Sequence, residues 1–475
     1  MYRFRVPILA VAIVTGAALA AAPAALAAAQ TRTATPVNVD ISQRHLNESE
    51  EAIAVNPTNP NNIVVFTNVG HAEAGLSAGM FLAVSFDGGK TWMTKLVALG
   101  GNDPLGDGCC DPSLSFDPYG NLFMTYLYEA EDQVPVALST DGGLTFHVIA
   151  NISKASLPGK KTGGDNRGLF RFVDQPTITA AHNEVWVVFN AGGPMVATGA
   201  RVRGLGQVGG FIPVEVVPGT NNCTYGDVSI GPSGQVMDAC TLTESGQGGG
   251  KIFVNTDPDG LGPAGFGDRT FVTQTHVGGF DFIPAQPDRS VDAEPGLAWD
   301  RTGGPHAGRV YLVYTAEHPN ESNNTDIYVR HSSDNGATWS APVRVNDDHS
   351  ANSQFLPKIS LDPATRNIAV VWYDSRNDLG TGPGDTDQIP NDDAQFWGAF
   401  SINGGASFTR NIQISAGTSN SHDSGNGIDY GDYTGLSFYG GIAHPAWSDN
   451  SNSTGNNPDG ALHQLDIYTA AVPVP

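Results

Sequence analysis

"SFDGGKTW", Ser85 to Trp92, returns along the chain as "STDGGLTF" (139–146), "SSDNGATW" (332–339) and "SINGGASF" (401–408). The shared pattern is Ser-x-Asp-x-Gly-x-Thr-Trp, with Phe, Asn or Ser replacing single positions. Each copy sits between two strand-like apolar runs, as in "GMFLAVSFDGGKTWMTKLVAL" and "DIYVRHSSDNGATWSAPVRVN". That placement predicts a hairpin whose tight turn lies inside the motif. Glycine accepts the positive φ of such a turn, and an Asp carboxylate accepts its backbone N–H groups. The aromatic residue opens the next strand.

A second, fainter repeat sets the architecture. Aligning apolar runs on a preceding residue gives Glu50 "EEAIAVN", Asp111 "DPSLSFD", Gln175 "QPTITAA", Asp227 "DVSIGPS", Glu294 "EPGLAWD", Leu356 "LPKISLD" and Tyr433 "YTGLSFY". They stand roughly 60 residues apart, and each is followed by a turn and further apolar runs. Seven units of four strands predict an all-β fold, a β-propeller of seven four-stranded blades. The seventh unit lacks its outer strand, and "TPVNVDIS" (35–42) is expected to supply it and close the ring. Residues 30–475 then form one domain, with an open pair of sandwiches as the competing arrangement.

Composition agrees with many strands and turns: 58 glycines, 31 prolines and only 15% charged residues. Residues 1–29 read as a secretory signal peptide, with Arg3 and Arg5 before an Ala-rich apolar run and cleavage near Ala27 to Ala29. An uncleaved anchor is the alternative; otherwise no segment is expected to enter a membrane. The protein is therefore expected outside the cell. The formal charge is −24, and cleavage would make it more negative. Such a chain is a poor partner for nucleic acid. No His/Cys cluster suggests zinc, and no phosphate-cradling glycine loop is present. Cys223 and Cys240 fall on adjacent antiparallel strands, so a disulfide is expected. Cys109 and Cys110 form either a vicinal disulfide or two free thiols.

The octapeptides resemble the Asp-box, or bacterial neuraminidase repeat, of the sialidase superfamily. A fifth stretch, "NTDPDGLGPAGFGDRTF" (255–271), resembles a copy opened by an insertion. The resemblance covers about residues 36–475 and implies a propeller with ligands on the face opposite the octapeptide turns. It departs from six-bladed sialidases in counting seven units. It implies a glycoside hydrolase of sialidase type acting on extracellular glycans. The alternative is a non-catalytic propeller that binds glycan or protein. Tyr433, in "DYTGL", would be the nucleophile, Glu294 its partner base and Asp111 the acid/base. Arg44, Arg171, Arg289 and Arg376 are the candidate grips for a substrate carboxylate, although no Arg-Ile-Pro motif occurs.

Glu50 and Asp227 belong to the same ring of aligned positions, where carboxylates crowd at the central opening. The structural alternative is that these acids cap strands and bind water. The "YDSRNDLGTGPGDTDQIPNDDAQ" loop (373–395) carries Asp374, Asp378, Asp385, Asp387, Asp392 and Asp393. Clustered oxygen ligands suit a structural Ca²⁺ ion, and a solvated loop is the alternative. No other cofactor is expected, and the chain is expected to be a monomer.

Overall fold

The computed structural model describes residues 35–70, 75–153 and 172–475, together with Met1 and Tyr2. The expected signal peptide and Arg171 lie outside the described residues.

Thr35–Pro475 is a seven-bladed β-propeller. Each blade is an antiparallel sheet, and in blades 1 to 6 the strands run from shaft to rim in chain order. The innermost strands are Glu48–Val55, Gly108–Phe116, Asp174–Ala181, Cys223–Ile230, Gly296–Trp299, Gln354–Leu361 and Gly435–Tyr439. The second strands are covered on both faces by neighbouring blades, so they read as nearly unbroken apolar runs. Ile63–Val69, Leu122–Tyr128 and Glu184–Asn190 are buried throughout. Seven separate apolar clusters fill the seven gaps between blades. One joins Val64, Phe66 and Leu82 of blade 1 to Leu122, Met124 and Tyr126 of blade 2.

Blade 7 takes its outer strand from the other end of the chain. Asn38–Asp40 pairs antiparallel with Asp466–Ala470, in the register Asn38↔Ala470, Val39↔Thr469 and Asp40↔Tyr468. The Ile41 N–H extends this pairing to the Ile467 carbonyl at 2.7 Å. The ring is thus closed by backbone hydrogen bonds between distant segments, and Asp466–Ala470 is not left as an open edge.

All four octapeptides connect a third strand to a fourth. In blade 5, Asp334 Oδ1 accepts the Ser332 hydroxyl at 2.7 Å and the Thr338 N–H at 2.9 Å, while Oδ2 accepts the Thr338 hydroxyl at 2.6 Å. Trp339 Nε1 donates to the Gly336 carbonyl. Asp87 and Asp141 make the same bonds, and Asn403 accepts the Ser407 N–H in the same way. These turns pack on first-to-second turns: the Gly88 N–H meets the Asn61 carbonyl, and Asn62 donates to the Gly142 carbonyl of the next blade. They therefore lie at the opposite end of the innermost strands from the aligned positions. The blade 4 connection, between Gly250–Asp257 and Thr270–Thr275, holds the expanded fifth stretch. Cys223 is bonded to Cys240 and Cys109 to Cys110.

Outside the seven blades, the segment before blade 5 forms a hairpin of Asp281–Ile283 and Gln286–Val291. It reaches blade 7. Gln286 donates to the Gly431 carbonyl and accepts the Tyr430 N–H, both at 2.9 Å. Asp429 accepts the Asp288 and Arg289 N–H groups. Ile283, Ala285 and Val291 join the apolar cluster between blades 6 and 7.

Candidate active site at the mouth of the central shaft

The aligned positions mark a recurring backbone irregularity. Glu50, Asp111, Gln175, Glu294 and Leu356 have φ of 58°, 55°, 49°, 49° and 51°. In blades 1, 2, 3 and 6 the pairing register shifts across this residue. Each is a bulge in which a side-chain-bearing residue adopts the left-handed conformation, at about 1–2 kcal/mol apiece. A bulge breaks the strict alternation of a strand, so consecutive residues are re-aimed. Pro112, Pro176, Pro295 and Pro357 follow four of the five and line the shaft. Proline is tolerated there because a bulge leaves the ladder incomplete. Strain collected at one end of a rigid scaffold is a pointer to function.

The innermost strands surround a cavity of about 260 Å³, which Glu51, Gln175, Asp227, Glu294, Lys358 and Tyr433 line together. Three of the expected site acids are committed to neighbouring blades. Glu50 accepts the Asp432 N–H at 3.2 Å and bonds Asn68. Asp111 Oδ2 accepts the Gln175 N–H at 2.8 Å. Asp227 Oδ2 accepts the Leu297 N–H at 2.6 Å, and its Oδ1 accepts the Val228 N–H at 2.9 Å. These bonds tie one innermost strand to the next, the bracing role that the sequence left open.

Glu294 is different. Its side chain is buried, and among the described residues neither carboxylate oxygen has a hydrogen-bond partner. Burial pushes its carboxyl well above the usual range; Asp292, Asp432 and Glu50 add to this, and Lys358 opposes it. Burial and the neighbouring carboxyls thus favour its protonated form, and only Lys358 favours the charged one. Asp227 is also raised by burial, but Lys358 and two backbone N–H groups favour its ionised form. Asp111 is raised by burial and by the neighbouring Asp174 carboxyl.

Tyr433 is half-buried, and its hydroxyl lies 3.5 Å from the Pro112 carbonyl across the shaft. Burial, then Glu50, Asp111, Asp432 and Glu51, hold the phenol well above its ordinary pKa. Among the described residues Tyr433 makes no hydrogen bond to Glu294.

The described candidate arginines, Arg44, Arg289 and Arg376, are each held by a different acid. Arg289 comes to the mouth, where its Nε donates to Asp432 Oδ1 at 2.6 Å and its NH2 to Oδ2. Arg44 pairs with Glu48 at 3.0 Å. Arg376 is held by Asp374 at 2.7 Å and Asp347 at 2.8 Å, and stacks on Trp397. Asp374, expected as a metal ligand, is therefore an ion-pair partner whose Oδ2 also accepts Trp372 Nε1. It stands apart from the aspartate groups of the 375–394 loop, which gather Asp378, Asp392 and Asp393, and Asp385, Asp387 and Asp393.

Sequence reasoning missed Glu51, Asp174, Asp292, Asp432 and Lys358 at the mouth. It also missed Asp238, buried in blade 4 with both carboxyl oxygens unpartnered. The doubled acids "EE" (50–51) and "DAE" (292–294) were the available signal: in each, one member lines the cavity and the other lies close enough to raise a carboxyl beside it.

Fold and site together define a seven-bladed propeller with an acidic mouth. No protein-family model matches the chain, and no curated protein matches it. Solved structures similar to it include an α-L-arabinanase of Penicillium chrysogenum complexed with arabinobiose, at 13% identity and TM-score 0.46, over 93% of this chain and 98% of that one. The polysaccharide lyase Uly1 matches at 11% identity and TM-score 0.48, over 89% and 90%. The endosialidase of phage phi92 matches at 10% and 0.49, over 93% and 69%. At these values the likenesses carry no argument about chemistry.

Proposed function

We propose that this chain is an exported glycoside hydrolase acting on a neutral glycan, with Glu294 as the proton donor at the mouth of the shaft. The observation that carries this reading is the Glu294 carboxyl: buried, unpartnered and lining the same cavity as Tyr433. A carboxyl group whose surroundings favour the protonated form is suited to protonate a leaving glycosidic oxygen. Asp227 has backbone donors and Lys358 to stabilise its charge, so it takes the role of base or nucleophile. Two carboxyls in one cavity with opposed environments divide acid from base. Tyr433, held protonated, serves as a hydroxyl donor and an apolar platform for a sugar ring. The cavity, near the lower end of the roughly 300–1,000 Å³ usual for small ligands, suits one ring rather than a long oligomer.

The charge around the mouth argues for a neutral sugar. A sialoside brings its own carboxylate among Glu50, Asp111, Asp174, Asp292 and Asp432, where each further anion raises the cost of charge. The guanidinium beside them, Arg289, is already engaged by Asp432. Two disulfides favour an oxidising compartment and hence export.

The test is a panel of chromogenic glycosides, neutral pyranosides and furanosides beside sialosides. E294Q should lower turnover by about 10²-fold or more with the fold intact, and D227N should do the same. Turnover insensitive to both would remove this assignment. The bracing bonds of Glu50, Asp111 and Asp227 favour a second reading, a binding propeller. No turnover on any glycoside together with tight binding on a glycan array would select it.

A further inference from the structure

The 375–394 loop joins Ile368–Asp374 to Gln395–Ser401 in blade 6, on the same face as the mouth. One oxygen from each of Asp378, Asp392 and Asp393 lies within 4.8 Å of the other two, and all three residues are buried. Asp385, Asp387 and Asp393 meet the same limit. Asp393 belongs to both groups, so five carboxylates form one continuous patch.

Proximity alone would carry nothing, since acidic loops are common. The decisive atom is Asp392 Oδ1. Asp392 is 8% exposed, and this oxygen has no hydrogen-bond donor although it is shut off from solvent. It belongs to a side chain flanked by two more carboxylates. A proton or a cation is what can satisfy it there.

Among the described residues no lysine or arginine pairs with Asp378, Asp392 or Asp393. The cation next to the loop, Arg376, is spent elsewhere: Asp374 and Asp347 hold its guanidinium, and Trp397 lies 4.2 Å beneath it. The described residues therefore supply no compensating side-chain cation to these three carboxylates.

We propose that Asp378, Asp392 and Asp393 hold one calcium ion at their meeting point, with Asp385 and Asp387 on its outer side. The donor set is entirely carboxylate, which excludes a preference for soft or borderline metals. Calcium takes six to eight oxygens in irregular geometry, whereas magnesium demands a near-octahedral shell and keeps several waters. Asp378 is fixed in place before any ion arrives. Its Oδ2 accepts the Asp392 and Asp393 N–H groups at 2.8 and 3.0 Å, and its Oδ1 accepts the Gly380 N–H at 3.1 Å. These bonds bring the two ends of the loop together at the carboxylates.

The loop also touches its neighbours. Asn391 Oδ1 accepts the Ser353 N–H at 2.7 Å, and Ala394 pairs with Ser419 before blade 7. An ion here would fasten the blade 6 wall of the mouth without entering the shaft. The proposal does not depend on the glycosidase reading, and its readout is binding rather than turnover.

The experiment uses the full chain, stripped with EGTA and dialysed, then titrated with calcium chloride and followed by calorimetry and thermal melting. Calcium should bind with a stoichiometry of one and raise the melting temperature as its concentration rises. Magnesium at equal concentration should do much less. D392N should bind calcium at least tenfold more weakly and, without calcium, melt no lower than the stripped wild type, because it removes one of the crowded charges. D387N, on the exposed side, should weaken binding severalfold. If D392N does not fold, D387N alone decides, and unchanged affinity in it overturns the proposal. So does a stripped protein that shows neither heat nor a melting shift up to about 10 mM calcium. A melting temperature that rises on acidification but ignores calcium would mean that the carboxyls share a proton, and would equally overturn it.

Discussion

Asp238 offers a quantitative test of how this fold treats buried acid. It lies on Val236–Thr243, the second strand of blade 4, with no exposed surface and no partner for either oxygen. Burial, reinforced by Asp227, pushes its carboxyl up to about 8. In the unfolded chain an Asp ionises near 3.9. Between those values the folded protein holds a proton that the unfolded chain has released, so stability falls as pH rises from about 4 to about 8. At pH 7 the gap is about 3 units, which costs about 4 kcal/mol relative to pH 4. D238N is neutral at every pH and escapes that cost, while its amide stays unpartnered at about 1–2 kcal/mol. The net gain at pH 7 is about 2–3 kcal/mol. With an unfolding entropy of about 2.1 cal/mol/K per residue over roughly 440 residues, each kcal/mol moves the melting temperature by about 1 °C. The variant should therefore melt about 1–2 °C below wild type at pH 4 and about 2–3 °C above it at pH 7. Calorimetric scans of both proteins across that range measure the difference, which cancels the other titrating acids. A difference that stays flat with pH would refute the reasoning, because it would mean that Asp238 is compensated.

Removing residues 35–43 should lower the melting temperature of the whole propeller and promote association, read by calorimetry and light scattering, because Asp466–Ala470 becomes an open edge. Asp334→Ala removes three acceptor contacts from an exposed turn and should cost about 1 kcal/mol, or about 1 °C, with glycan affinity unchanged. A loss of affinity at constant melting temperature would mean that the two faces have been exchanged.

The fold was readable because its signals are local. Ser332, Asp334, Gly336, Thr338 and Trp339 satisfy one another within a single turn, so the octapeptide carries its own structural reason. The aligned positions were readable too: five of them have left-handed φ, and four of those fall on bulges. Their partners were not. Whether Glu50 binds substrate or the Asp432 N–H depends on a residue at the other end of the chain, and Arg376 is claimed by Asp374 two residues earlier and by Asp347 in another segment. Nothing periodic in the sequence encodes these choices. The 281–291 hairpin was hidden for the same reason: its docking on Tyr430 and Gly431 is a long-range match of single hydrogen bonds. Glu294 stood out in the alignment, but the emptiness around its carboxyl is a property of packing.

The pairing of Asn38 with Ala470 also sets a schedule. Ribosomes add about 5–20 residues per second, so the first strand exists for roughly 20–90 seconds before its mate has been made. During that interval the first six blades can stack in order, each on the one before, while Asn38–Asp40 waits with its hydrogen-bonding groups unclaimed. An interrupted chain, or one cut just before Asp466, would hold six complete blades and still have no latch. Quality control that senses unpaired strand edges would meet every such fragment in the same condition, whichever blade was last to form.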